Sequence, residues 1–262
     1  MVPRDAFFRL DGAECVPRPH ARSPWAPDML HGRLLAGLAV RELERGHLDG
    51  GFSVARVTVD LFSVVPMAAV TLRSARVRDG RRVRAVDVVV TCADRDVARV
   101  SALLLVPPGV PPGAVWGRPD WTASPPASIS PGARPPEADE MGAPEMRFVG
   151  RALDGPGPHR AWLREPWPLV DGEALTPYQR AVIAADVSNP LSNWGEHGLQ
   201  YINADLTLHL ARPPVGEWVG IEVTDHQAGG GVAVGQTRLH DEVGPFGVVA
   251  VTSVARAFGG RR

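Results

Sequence analysis

Asp186 closes a run of five apolar residues, Ala181-Val182-Ile183-Ala184-Ala185, and opens the segment Asp186-Val187-Ser188-Asn189-Pro190-Leu191-Ser192-Asn193-Trp194. A carboxylate at the end of an apolar helical stretch faces the negative pole of the helix dipole. Desolvating it adds to that cost. One reading is a polar C-terminal residue hydrogen-bonded to a neighbouring strand. The other is a chemical site, because an unfavourable placement with no local gain marks function. There the carboxylate would act as a general base, a role worth about 10²–10⁴-fold in rate.

Other chemistry is sparse. The sequence has no Gly-x-Ser-x-Gly, no His-Glu-x-x-His, and no Gly-x-Gly-x-x-Gly between strand and helix, so serine-hydrolase, metalloprotease and dinucleotide-binding readings lose their support. His226, beside Asp225, and His240, beside Asp241, are expected as exposed turn residues. Glu196-His197-Gly198 falls in a loop that could line a pocket mouth. Arg78, Arg81, Arg82 and Arg84 cluster around Asp79-Gly80, as on a solvated hairpin tip.

Composition narrows the field further. All 28 basic residues are arginine, which excludes a Schiff-base lysine and a Walker-type phosphate loop. Against 29 acidic residues the net charge is −1, without the basic footprint of a nucleic-acid binder. The bias to Arg, Ala, Gly and Pro points to a GC-rich bacterial genome. Cys15 and Cys92 allow one disulfide at most, and neither has partners at zinc-ligand spacing, so no metal is implied. The first twenty residues lack a signal-peptide core, and the apolar run Ala102–Val106 is too short to cross a bilayer. A cytoplasmic protein without membrane contact is expected.

Two similar units must position Asp186. Residues 107–144, rich in proline, cannot hold a helix or a central strand and read as an extended connector. Trp116 and Trp121 suggest that it packs along a surface. In 1–106, apolar residues at 30, 34, 35, 38 and 39 follow a helical period from about Pro27-Asp28 to Arg45. Strands follow at Ala55–Leu61, Val70–Val77, Val83–Cys92 and Val97–Val106, with a hairpin at Asp79-Gly80. In 145–262, Thr176-Pro177 caps a helix through Val187. Strands follow at Ile202–Leu210, Glu217–Asp225, Val232–His240 and Val248–Ala257, with Gly244–Gly247 as a turn. Each helix is preceded by a strand candidate, Ala6–Leu10 and Arg147–Arg151. An offset of 147 superimposes the halves and sets Ala39 on Asp186, which points to a duplicated α+β unit: a helix wrapped by an antiparallel sheet.

The helix bearing Asp186, the strand Tyr201-Ile202-Asn203-Ala204-Asp205-Leu206-Thr207-Leu208-His209-Leu210-Ala211-Arg212-Pro213-Pro214 and His31-Gly32 at the first helix resemble the acyl-CoA thioesterase II type of double-hotdog protein over nearly the whole chain. The resemblance implies a hydrolase of lipid metabolism that splits an acyl-CoA thioester, with coenzyme A as part of the substrate and no other cofactor. It implies that Asp186, a Ser or Thr on the next strand and a Gln on the last strand position the attacking water. Asn203 stands where Ser or Thr is expected. Ser253 is the polar residue where Gln is expected, so the chain departs from the pattern at both. His31-Gly32 would supply the oxyanion turn, Asn189 would contact substrate, and Arg82 with its neighbours would dock the phosphates of coenzyme A. Two alternatives stand beside this. One is a non-catalytic acyl-CoA binding protein. The other is an enoyl-CoA hydratase or dehydratase of the MaoC type, whose Asp-x-Asn-Pro-Leu-His is matched with one extra residue and Ser192 in place of His. Exposed sheet edges leave a homo-oligomer open.

Overall fold

The computed structural model describes residues 5–119, 121–132 and 138–256. Parts of the connector and Ala257, the expected end of the last strand, lie outside them. The first half contains β1 (Phe8–Asp11), β2 (Glu14–Pro17), β3 (Arg22–Ser23), β4 (Ala26–Leu30), α1 (Gly32–His47), β5 (Ser53–Leu61), β6 (Val70–Asp79), β7 (Val83–Cys92) and β8 (Arg95–Leu105). The second contains β9 (Glu145–Phe148), β10 (Arg160–Arg164), α2 (Pro177–Ala185), α3 (Ser188–Asn193), β11 (Trp194–Gly195), β12 (Gly198–Leu199), β13 (Tyr201–Leu210), β14 (Trp218–Gly229), β15 (Val232–Asp241) and β16 (Gly244–Ala255).

This is the α+β double hotdog. Twelve strands form one antiparallel sheet in the order β1-β2-β6-β7-β8-β5-β13-β16-β15-β14-β10-β9. The two halves have the same order read outward from the centre, as duplication requires. They are not simple four-strand meanders. In each half the first long strand after the helix pairs with the last (β5 with β8, β13 with β16), because a crossover follows it. The halves join where β5 pairs with β13, from Asp60 opposite Asp205 to Arg56 opposite His209, with the Thr58 and Thr207 hydroxyls 3.1 Å apart.

α1 begins later than its apolar pattern suggests. Residues 26–30 are extended because their backbone groups bond elsewhere: Leu30 donates to the Val65 carbonyl at 2.8 Å, and Met67 donates to that of Asp28 at 2.9 Å. His31 then caps the helix, its Nδ1 accepting from the Arg33 amide at 3.4 Å. Leu34, Leu35, Leu38 and Leu43 are fully buried, each contributing about 2 kcal/mol of apolar burial.

α1 and α2 run antiparallel across the molecule. Glu44, near the end of α1, accepts from Thr176 Oγ1 at 2.9 Å and Gln179 Nε2 at 2.8 Å at the start of α2. Midway, Gly37 lets Ile183 seat against α1; a Cβ at Gly37 would lie 3.0 Å from Ile183 Cδ1. The N-terminus of α1 therefore lies beside the C-terminus of α2.

The proline-rich segment forms one 3-10 turn, Pro126–Ser128, among its described residues. It packs on the face of β14 and β15 away from the helices. Trp121 stacks on His240 with ring centroids 4.4 Å apart and lies 5.2 Å from Trp162. Arg238 donates to the carbonyls of Pro119 at 2.8 Å and Arg118 at 3.1 Å. Trp116 stays exposed. His240, expected at an exposed turn, is instead a buried residue of β15 beneath this tryptophan. His226 lies within β14, and Gly244–Gly247 belong to β16. Both cysteines are free and buried.

Gly220 makes room for Trp121: a Cβ there would fall 2.4 Å from the indole. Gly220→Ala is expected to lift the tryptophan off the sheet, at about 1–3 kcal/mol. Limited proteolysis between residues 107 and 132 should accelerate. Unchanged cleavage and unchanged tryptophan emission would show that the strap does not depend on this notch.

Candidate functional site

Pro190 sets the geometry around Asp186. Lacking an N–H, it cannot bond the Asp186 carbonyl four residues earlier, as a continuing helix would require. The helix breaks there into α2 and α3, and the Asn189 amide takes that carbonyl at 3.2 Å instead. Asp186 sits at the C-cap of α2 with helical backbone angles, its side chain turned into the space beside α1.

That space is a cleft of about 170 Å³ between the halves. Asp186 and Asn203 come from the second half. His31 and Gly32, at the head of α1, come from the first, together with the apolar Leu30, Leu35, Leu61 and Val65. Asn203 Nδ2 donates to Asp186 Oδ1 at 2.9 Å. Burial pushes the Asp186 carboxyl above the ordinary aspartate range. The Asn203 hydrogen bond and then the charge of Arg33 pull it partly back. The His31 imidazole is held well below its usual range, first by burial and then by Arg33. It is thus neutral, and because Nδ1 accepts from a backbone amide its proton belongs on Nε2.

Four sequence candidates therefore share one cleft: Asp186, Asn203, His31 and Gly32. Ser253 and Asn189 do not face it. Ser253 lies opposite Asn203 in the β13–β16 register but is buried. Its hydroxyl donates to Asn189 Oδ1 at 2.7 Å and accepts from Asn193 Nδ2 at 3.3 Å. Asn189 Nδ2 donates to the Tyr201 carbonyl at 3.2 Å, and its Oδ1 also accepts from Asn193 at 2.8 Å. These bonds tie α3 to β13 and β16 and commit both side chains internally.

Arg82 is farther away. With Arg78 and Arg81 it lines a depression at the β6–β7 tip. Next to it, Arg84 turns inward onto the carbonyl of His47 at the end of α1 and onto Asp79 and Asp49. The cleft is at the other end of this 16-residue helix, about 24 Å long. The hairpin arginines thus lie at the opposite end of α1 from the Asp186 cleft.

A second cleft, of about 370 Å³, opens at the end of α3. Asn193, Trp194 and Tyr201 line it with His226, whose Nε2 is 2.9 Å from Asn193 Oδ1. The hairpin around Glu196 and His197 stands at its border. Ser192, which replaces the hydratase histidine, packs against Gly235.

One residue escaped the sequence reading. Arg33 is 2% exposed and forms an ion pair with Glu165, which is 0% exposed; it also donates to the Gly142 carbonyl at 2.7 Å. The available signal was its helical spacing with Gly37 and Glu44, which meet α2. Among the described residues no three His, Cys, Asp or Glu side chains converge as a metal site would require. No helix there is long and apolar enough to cross a membrane.

Comparison with known proteins follows the same lines. Residues 107–252 match the family described as acyl-CoA thioesterase C-terminal domain, and residues 21–105 match the acyl-CoA thioesterase N-terminal domain. No curated protein matches the sequence. Among solved structures, a hot dog fold protein from Alicyclobacillus acidocaldarius superimposes with a TM-score of 0.75 at 12% identity, covering 95% of this chain and 96% of its own. A tesB protein from Mycobacterium avium subspecies paratuberculosis gives 0.70 at 15% identity, over 95% of both chains. An acyl-CoA thioesterase II from Mycobacterium marinum gives 0.66 at 18% identity, over 87% of this chain and 91% of its own. At these identities the likeness is one of fold.

Proposed function

Because the chain belongs to the acyl-CoA thioesterase family, we propose that it hydrolyses an acyl-CoA thioester to the free acid and coenzyme A, using water activated at Asp186. The observation that carries this reading is the Asp186–Asn203 pair facing the head of α1 across one cleft.

The chemistry runs through groups this chain provides. Water held between the Asp186 carboxylate and Asn203 attacks the thioester carbon and gives its proton to Asp186. The oxyanion that forms needs donors. The amide of Gly32, at the first position of α1, has no carbonyl within the helix to bond, and the positive pole of α1 favours the charge. His31 is neutral, and its Nε2–H is a second donor of the same kind. When the carbon–sulfur bond breaks, the sulfur leaves with its electron pair and receives the proton that Asp186 took. Asn189 and Ser253 act as scaffolding: they hold α3, and with it the break at Asp186, against β13 and β16.

Purified protein should release thiol from an acyl-CoA panel without any change in enoyl-CoA absorbance. Absorbance change without thiol release would favour the hydratase, and tight binding without either would favour the binding protein. Asn203 also makes a sharper prediction. Its hydrogen bond lowers the Asp186 pKa, so Asn203→Ala is expected to move the acid limb of the pH–rate profile upward. It should also reduce kcat by about tenfold or more, as losing one charge-directed hydrogen bond does. An unshifted limb would remove Asn203 from the site.

A further inference from the structure

The volume around Asp186 limits what can react there, and this inference rests on the hydrolytic reading above. The apolar end of the cleft is closed by Leu30 and Leu35, both fully buried, with Leu61 lying over Gly32. Beyond them the seam between α1 and α2 is filled. A Cβ added at Gly37 would meet Ile183 at 3.0 Å and Leu169 at 3.3 Å, so the seam has no room even for a methyl group. An acyl chain running along the seam between the two helices therefore has no path. What remains is the cleft itself, of about 170 Å³. A dry apolar cavity of about 150 Å³ is the size that takes benzene.

Outside, the mouth is bordered by exposed apolar side chains, Trp25, Phe62, Val64 and Ile202. These belong to the lining of the same cleft and are partly exposed to solvent. They can support the pantetheine arm of coenzyme A as it leaves the cleft.

We infer that the Asp186 cleft is selective for acyl groups of about six carbons, straight or ring-shaped, and rejects long fatty acyl chains. Specificity would then be set by Leu35, Leu61 and Val65, which form its walls.

The test is kcat/KM on hexanoyl-, phenylacetyl-, decanoyl- and palmitoyl-CoA, the last below its micelle concentration. Hexanoyl- or phenylacetyl-CoA should exceed decanoyl-CoA by about tenfold or more, since even one misfitting methylene is worth that. The two favoured compounds separate a straight chain from a ring. Leu61→Ala enlarges the wall from a half-buried position and should raise the decanoyl-to-hexanoyl ratio by about tenfold. Val65→Ala serves the same purpose if Leu61→Ala does not fold. Equal or better turnover of decanoyl- or palmitoyl-CoA by the native protein would overturn the size limit while leaving hydrolysis intact. Absence of thiol release from every compound would instead sink the hydrolytic reading. The size limit would then be read from calorimetric binding of hexanoyl- and decanoyl-CoA: hexanoyl-CoA binding about tenfold tighter sustains it, and equal binding overturns it.

Discussion

Asp186→Asn is expected to lower kcat by about 10²–10⁴-fold, the usual worth of a general base, and to make the protein more stable at neutral pH. The two effects have one cause. Burial of the carboxyl raises its pKa in the folded protein above the value of about 3.9 that it has in an unfolded chain. At pH below both values the residue is protonated in both states and costs nothing. As pH rises through the unfolded value toward the raised folded one, the unfolded state ionises first and stability is lost. Above the folded value the loss is complete and constant. Asparagine never ionises, and its carbonyl can still accept from Asn203. Melting curves of the two proteins should therefore coincide at low pH and separate in favour of the variant across that window. The native pH–rate profile should have its acid limb in the same window, above the ordinary aspartate range. A variant that keeps its rate would remove Asp186 from the mechanism. One that is less stable at neutral pH would mean that the carboxylate is held by partners strong enough to offset its burial.

The stability cost of this placement is also why the candidate site was legible in the sequence. Asp186 stood out because it ends an apolar helix, and the offset of 147 set buried Ala39 in its place in the first half. Such signals are local, and so are the strands, whose period-2 patterns and glycine turns lie within a few residues. The joining of two sheets into one was not legible. A strand pattern says which face is buried but not which edge it meets, so the pairing of β5 with β13 left no trace. Long-range contact decided the other differences as well. Residues 26–30 are extended because residues 65–67 take their backbone bonds. His240 is buried because Trp121 arrives from the connector. Ser253 looked like a replacement for a water-positioning glutamine by its place on the last strand. Its bond to Asn189, across 64 residues, shows what its hydroxyl holds. In each case the partner, not the residue, carries the information.

Arg33 is the largest example, and it makes the strongest prediction about stability. Its guanidinium pairs with Glu165 across 132 residues and joins the first turn of α1 to the end of β10. The second Glu165 oxygen accepts from the Trp167 amide at 3.2 Å, so both carboxylate oxygens are engaged. Removing only the arginine takes from a buried carboxylate the counter-ion that Arg33 supplies. Arg33→Met is therefore expected to cost about 3–5 kcal/mol, whereas Arg33→Met with Glu165→Met should recover most of that loss. Denaturant unfolding of both singles and the double closes the cycle. Single and double variants equally destabilised would mean that the cost comes from packing alone. The same substitution reaches the chemistry, because the charge of Arg33 lowers the Asp186 pKa. In Arg33→Met, and equally in the stable double variant, the acid limb of the pH–rate profile should move to higher pH. That shift separates an electrostatic role from a scaffold role. A pair that only stitched the halves together would change the melting temperature and leave the profile where it was.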